Sequence, residues 1–169
     1  NYFDIGIGNG LRNRLAESYA LGKTEESKKY VSTAYFATGI ISVVFCVIIC
    51  GIWNLFDLST FFDMNTSGES TNAAVTISVF FVCLNFILAL SRTMAYAVQK
   101  PGITSVVDVI AQIVQIVAVI IITRIINASI MVTAVVYGSV TLISNICMYF
   151  IITHKKYDLK PSFKHIDMK

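Results

Sequence analysis

The chain has 169 residues, 56% of them hydrophobic and 14% charged, with a formal net charge of +3 and a mean hydropathy of +0.71. Soluble domains carry about a quarter charged residues, so this balance excludes an ordinary water-exposed globule and points to lipid as the solvent. Nearly unbroken apolar runs such as Ile40 to Ile52 and Ile113 to Ile122 also exclude a transmembrane β-barrel, whose strands alternate in polarity over about ten residues.

Residues 1–30 open with Gly6, Gly8 and Gly10 and continue as a charged helical run through Arg12, Arg14, Glu17, Lys23, Glu25, Glu26, Lys28 and Lys29. They read as the end of a preceding helix and a loop outside the bilayer. The glycine spacing is not a phosphate-cradling loop, because no strand precedes it and no lysine follows at the required distance. Largely uncharged stretches follow at 31–56, 73–98, 104–126 and 129–152. Each has at least about 20 residues, enough at about 1.5 Å per residue to cross a hydrocarbon core roughly 30 Å thick. The predicted fold class is therefore an all-α integral membrane protein with four transmembrane helices in this chain.

The breaks between spans have distinct chemistry. Asp57 to Asn72 holds Asp57, Asp63 and Glu69 with no Lys or Arg, and is expected to be an acidic loop. Gln99-Lys100-Pro101-Gly102 predicts a tight turn, since Pro101 lacks an amide hydrogen and restricts the residue before it. The break at 124–129 is very short, and 153–169 is a basic tail carrying Lys155, Lys156, Lys160, Lys164 and Lys169. Spans alternate in direction, so the segment before the first, the turn between the second and third, and the tail share one side. That side holds every one of the 13 Lys and Arg residues except Arg124, and the positive-inside rule makes it cytoplasmic.

Polar residues within the spans recur at helical spacing. Ser78, Asn85, Arg92, Tyr96 and Gln99 form one stripe on the second span, and Asp108, Gln112 and Gln115 another on the third. Tyr137, Thr141, Ser144, Asn145 and Met148 make a similar face on the fourth, and Tyr35, Thr38, Ser42 and Cys46 a weaker one on the first. These faces are expected either to surround a wet cavity or to hydrogen-bond between helices, as Ser, Thr, Asn and Gln commonly do in membranes. Arg92 is the strongest candidate for contact with an anionic ligand, because a guanidinium stays charged and offers donors suited to phosphate oxygens. Pairing with Asp108 across the Pro101 turn, and snorkelling to the membrane surface, are the competing expectations.

Other residues carry less chemistry. Cys46, Cys50, Cys83 and Cys147 all fall within the predicted spans, where they are expected to pack as small apolar groups rather than form disulfides or a metal site. His154 and His165 lie in the tail without partners in sequence, and read as solvated side chains. Asn65-Thr66-Ser67 and Asn127-Ala128-Ser129 match the glycosylation sequon, a weak pattern on its own. No paired acid, nucleophile or metal cluster stands out, so a non-enzymatic protein without cofactor or metal is expected.

The stretch Phe3-Asp4-Ile5-Gly6-Ile7-Gly8-Asn9-Gly10-Leu11-Arg12-Asn13-Arg14-Leu15-Ala16-Glu17, followed by Lys28-Lys29-Tyr30-Val31-Ser32-Thr33-Ala34-Tyr35, resembles the first cytoplasmic loop of bacterial O-antigen and polysaccharide flippases. These are Wzx-like members of the polysaccharide transporter family, in the MATE-like superfamily that also holds multidrug exporters and lipid II flippases. Its members have about twelve to fourteen helices in two similar lobes. The resemblance implies that the chain begins at the end of helix two and that its four spans are helices three to six. The non-methionine start, Asn1, agrees with a fragment of such a transporter, which alone should not transport.

The function implied is the flipping of a polyprenyl-pyrophosphate-linked oligosaccharide repeat unit across the bacterial inner membrane, for surface polysaccharide or O-antigen assembly. Residues 1–30 and 153–169 would then be cytoplasmic. Implied partners are the lipid-linked oligosaccharide, membrane lipid and the polysaccharide polymerase machinery, not nucleic acid. On this reading Arg92, Asn85, Tyr96, Gln99, Gln112 and Gln115 are substrate-binding candidates in the cavity, with Arg12 and Arg14 at its cytoplasmic entrance. Two alternatives remain at this stage. One is a cation-coupled multidrug exporter on the same scaffold, for which Asp108 is the one acidic residue close to a span. The other is a non-transporting four-helix membrane protein, in which the polar stripes are packing contacts.

Overall fold

The computed structural model describes residues 6–55, 68–125, 130–154 and 159–161. Every regular element among them is helical: α1 (Ile7–Ala20), α2 (Thr24–Leu55), α3 (Gly68–Leu88), α4 (Leu90–Ala97), α5 (Pro101–Ile125) and α6 (Ile130–Thr153). Four segments are long and apolar enough to cross a membrane, at Thr24–Ile49, Val75–Ala97, Pro101–Ile125 and Val132–Thr153. The protein is thus an all-α multi-pass membrane protein. Asp57, Asp63, both sequon asparagines and the tail lysines other than Lys160 lie outside the described residues. The end of the expected acidic loop, Gly68 to Asn72, is the first part of α3 instead.

Local chemistry explains where the helices stop. At the end of α1, Gly22 takes a left-handed conformation (φ 68°). Its N–H donates to the Tyr19 carbonyl at 3.1 Å and the Lys23 N–H to the Ser18 carbonyl at 2.9 Å, the paired bonds that close a helix C-terminus. The same closure ends α4, with Gln99 at φ 56° in the position glycine usually fills. There the Gln99 N–H reaches Tyr96 O at 3.1 Å and the Lys100 N–H reaches Ala95 O at 2.9 Å. Pro101 then opens α5 at its first position, where its missing N–H costs nothing. At the start of α2, Glu25 and Glu26 sit in the first turn, where the helix dipole favours negative charge.

The second span is broken at Ala89 into α3 and α4 without glycine or proline. Ser91 Oγ donates to the Leu88 carbonyl at 2.7 Å, and the Arg92 N–H bonds Ala89 O at 3.0 Å. Ala89 itself keeps helical dihedrals, φ −61° and ψ −20°, so the interruption is local.

Packing is concentrated at one end. Leu11 and Leu15 of α1, Val31 and Ala34 of α2, Leu90, Met94 and Ala95 of α4, Met148 and Ile152 of α6, and Leu159 beyond it form one buried cluster. We call this end the collar. Away from it the helices expose apolar side chains, including Val43, Val47 and Ile48 of α2 and nearly the whole of α5, as lipid-facing surface should. α6 is the hub: it packs against α3, α4 and α5, with its largest interface on α3, while α2 also packs on α3. Gly138 of α6 permits that contact, since a Cβ there would sit 2.5 Å from Phe81 Cγ of α3. Small residues let helix backbones approach in this manner.

Candidate functional site

The polar stripe of α6 meets a different partner at each turn. Gln115 of α5 donates through Nε2 to Thr141 Oγ1 at 2.9 Å. Asn145 donates through Nδ2 to Asn85 Oδ1 of α3 at 2.6 Å, and Asn85 Nδ2 in turn donates to its own helix at Phe81 O, 2.9 Å away. Tyr149 stands edge-on to Tyr35 of α2, with ring centroids 6.1 Å apart. The expected faces of the second, third and fourth spans are therefore brought together along α6. Asn85, Asn145 and Gln115 are thereby tied between helices.

Arg92 sits at the centre of this seam. Its Nε donates to Asp108 Oδ1 at 3.0 Å, its Nη2 also reaches that oxygen, and Nη2 donates to Ser144 Oγ at 3.1 Å. The Arg92 side chain is 15% exposed and that of Asp108 38%. The break at Ala89 and the turn at Pro101 set these two helices side by side, so the pairing across the Pro101 turn is the arrangement the fold adopts. A charge pair of this kind is how an ionisable residue is tolerated within a span.

The remaining candidates lie apart from the seam. Gln112 and Gln99 are exposed, the latter in the turn after α4. Tyr96 is 36% exposed and lies under the guanidinium of Arg12, 5.5 Å from its ring centroid. Arg14 similarly stands 5.8 Å from the Tyr30 ring. Both are cation–π contacts of a kind worth about 0.5–1 kcal/mol at exposed sites. Arg12 and Arg14 thus flank the collar, and the candidate residues divide into a buried seam and a cationic, aromatic rim.

One large cleft opens between α2, α3 and α6, with a volume of about 760 Å³. Its walls are mostly apolar, with Ile41, Phe45, Phe81, Val82 and Phe86 prominent, and Asn85 is the one sequence-predicted site residue that lines it. Size and character suit a ligand with substantial apolar surface. The stripe residues Ser42, Ser78, Asn85, Tyr137 and Thr141 do line the cleft, but its mostly apolar wall was not visible in their spacing. The small pair Ala134 and Gly138, four residues apart, was the available signal for the close α3–α6 approach. Among the described residues no group of His, Cys, Asp and Glu is placed to hold a metal ion.

Neither the curated proteins nor the solved structures include a significant match. One family model, described as polysaccharide biosynthesis protein, matches residues 3–169, nearly the entire chain. The chain belongs to the polysaccharide biosynthesis protein family.

Proposed function

We propose that the chain is part of a membrane exporter that flips a polyprenyl-pyrophosphate-linked oligosaccharide repeat unit across the bacterial cytoplasmic membrane during surface polysaccharide or O-antigen assembly. The observation that carries this reading is the family match over residues 3–169 on a chain with four membrane-crossing helices. Movement of a lipid-linked sugar requires no bond to be made or broken, so the residues needed are those that bind and solvate. Arg12 and Arg14 supply guanidinium groups at the rim, where a pyrophosphate would first be met. The cleft between α2, α3 and α6 offers apolar wall beside the neutral hydrogen-bonding residues Ser42, Asn85 and Thr141.

The charge distribution supports placing the collar on the cytoplasmic side. The drug-exporter alternative gains nothing from the geometry, since the Asp108 charge is already balanced by Arg92. Deleting the gene in its source bacterium and quantifying lipid-linked oligosaccharide by leaflet, with surface glycan, tests the proposal. Accumulation on the cytoplasmic leaflet with loss of surface glycan is expected. Normal lipid-linked sugar together with new sensitivity to cationic drugs would overturn it in favour of the exporter.

A further inference from the structure

Both arginines of α1 stand on a tyrosine at a membrane boundary. Arg12 lies over Tyr96, 5.5 Å from its ring centroid, and Arg14 over Tyr30 at 5.8 Å. Tyr96 is the residue before the last of the second span, Val75–Ala97, and Tyr30 immediately precedes the uncharged run that begins at Val31. Tyrosine concentrates at the headgroup level of membrane proteins, where its ring meets hydrocarbon and its hydroxyl meets water. The two rings therefore mark the depth of the two guanidinium groups, which is that of the lipid phosphates on the collar side.

The fold holds them there. α1 packs against both α2 and α4, and Leu11 and Leu15, one turn apart, are buried in the collar. Arg12 and Arg14 fall between them and are exposed. Contact with a ring engages one face or edge of a guanidinium, and its remaining N–H donors still suit phosphate oxygens. The nearby lysines are different. Lys23 Nζ lies 3.4 Å from Glu26 and Lys28 Nζ 3.5 Å from Glu25, so those cations are balanced by carboxylates, whereas the rings that meet Arg12 and Arg14 carry no charge.

A ligand for these arginines has to be anionic, to accept hydrogen bonds from a guanidinium and to be present at headgroup depth. A phospholipid with a net negative headgroup meets all three conditions, while a zwitterionic one brings its own cation beside the phosphate. We propose that Arg12 and Arg14 bind the phosphates of anionic phospholipids in the leaflet at the collar. The partner is the bilayer's own lipid, so the inference holds whatever the chain exports.

Native mass spectrometry of the full-length protein, in detergent carrying equal amounts of phosphatidylglycerol and phosphatidylcholine, tests this. Retained phosphatidylglycerol is expected to exceed retained phosphatidylcholine. Arg12→Gln combined with Arg14→Gln should weaken phosphatidylglycerol binding by about thirtyfold, the scale for two basic side chains near a charged bilayer surface. Lys23→Gln combined with Lys28→Gln removes the same charge from the same end of the molecule and should leave the preference in place. Equal weakening by the two double variants overturns the proposal, because diffuse charge would then suffice. So does release of the lipid by excess inorganic pyrophosphate, which marks a site for a soluble diphosphate instead. Absence of any preference in the unaltered protein overturns it without recourse to a variant.

Discussion

Replacing Asp108 by Asn removes the negative charge from the group that accepts from Nε and Nη2 of Arg92 and leaves a guanidinium inside a span with only neutral acceptors, the new amide oxygen and Ser144. Breaking one side of a fully buried pair costs about 3–5 kcal/mol. Asp108 is 38% exposed, so part of that interaction is screened and a loss of about 1–3 kcal/mol is the appropriate scale. For a chain of this size that corresponds to a fall in Tm of about 3–9 °C, readable by thermal unfolding of the purified protein in detergent. Arg92→Gln should cost less, because the group it strands is the more exposed of the two. The combination of Arg92→Gln with Asp108→Asn should recover most of the stability, since neither charge is then left alone. If Asp108→Asn leaves Tm unchanged, or if the two losses simply add, the pair does not hold α4 to α5. Export then separates architecture from ligand contact. We expect the double variant to regain stability and not transport, whereas recovery of both would confine Arg92 to a packing role.

Further outcomes follow from single positions. Gly138→Ala should destabilise by about 1–3 kcal/mol through overpacking against Phe81, and Phe81→Leu in the same chain should restore part of the loss in a thermal unfolding series. Gln99→Gly should raise stability by about 1 kcal/mol by relieving a left-handed residue at the end of α4; a lower Tm would show that the glutamine side chain is needed there. Leu159→Ala should cost about 2–5 kcal/mol as a buried leucine truncated within the collar, seen as the same fall in Tm. Cysteine placed at exposed Lys23 should react with an impermeant maleimide only from the cytoplasmic face; labelling from outside whole cells would invert the topology.

Much of the architecture was legible in the sequence because the hydrophobic term dominates a membrane protein. The apolar stretches locate the four long helices, and Gln99 to Gly102 locates the turn before α5. The α6 stripe of Tyr137, Thr141, Ser144 and Asn145 was visible as a periodicity, and so was the possible Arg92–Asp108 pair. Periodicity cannot say which neighbour answers each residue, and so Asn85 and Gln115, alike on paper, meet different levels of one helix. The break at Ala89 was hidden because no glycine or proline marks it. Gln112 shares a stripe with Asp108 and Gln115 but lies outward, since α6 covers only the Gln115 edge of that face. The cleft required α2, α3 and α6 to meet around one space, which no local pattern encodes.

Leu159 is buried in a cluster whose other members begin at Leu11. During synthesis the collar therefore cannot be finished until Leu159, beyond α6, has emerged to join Leu11, Met94 and Met148. Until then, Leu11 and Leu15 face their future neighbours without the residue that seals them, and the spans sit in lipid with that end unfastened. The timing makes closure of the collar a late event in biogenesis, so that a polypeptide cut short before Leu159 would leave this end of the helices unsealed and open to a quality-control protease.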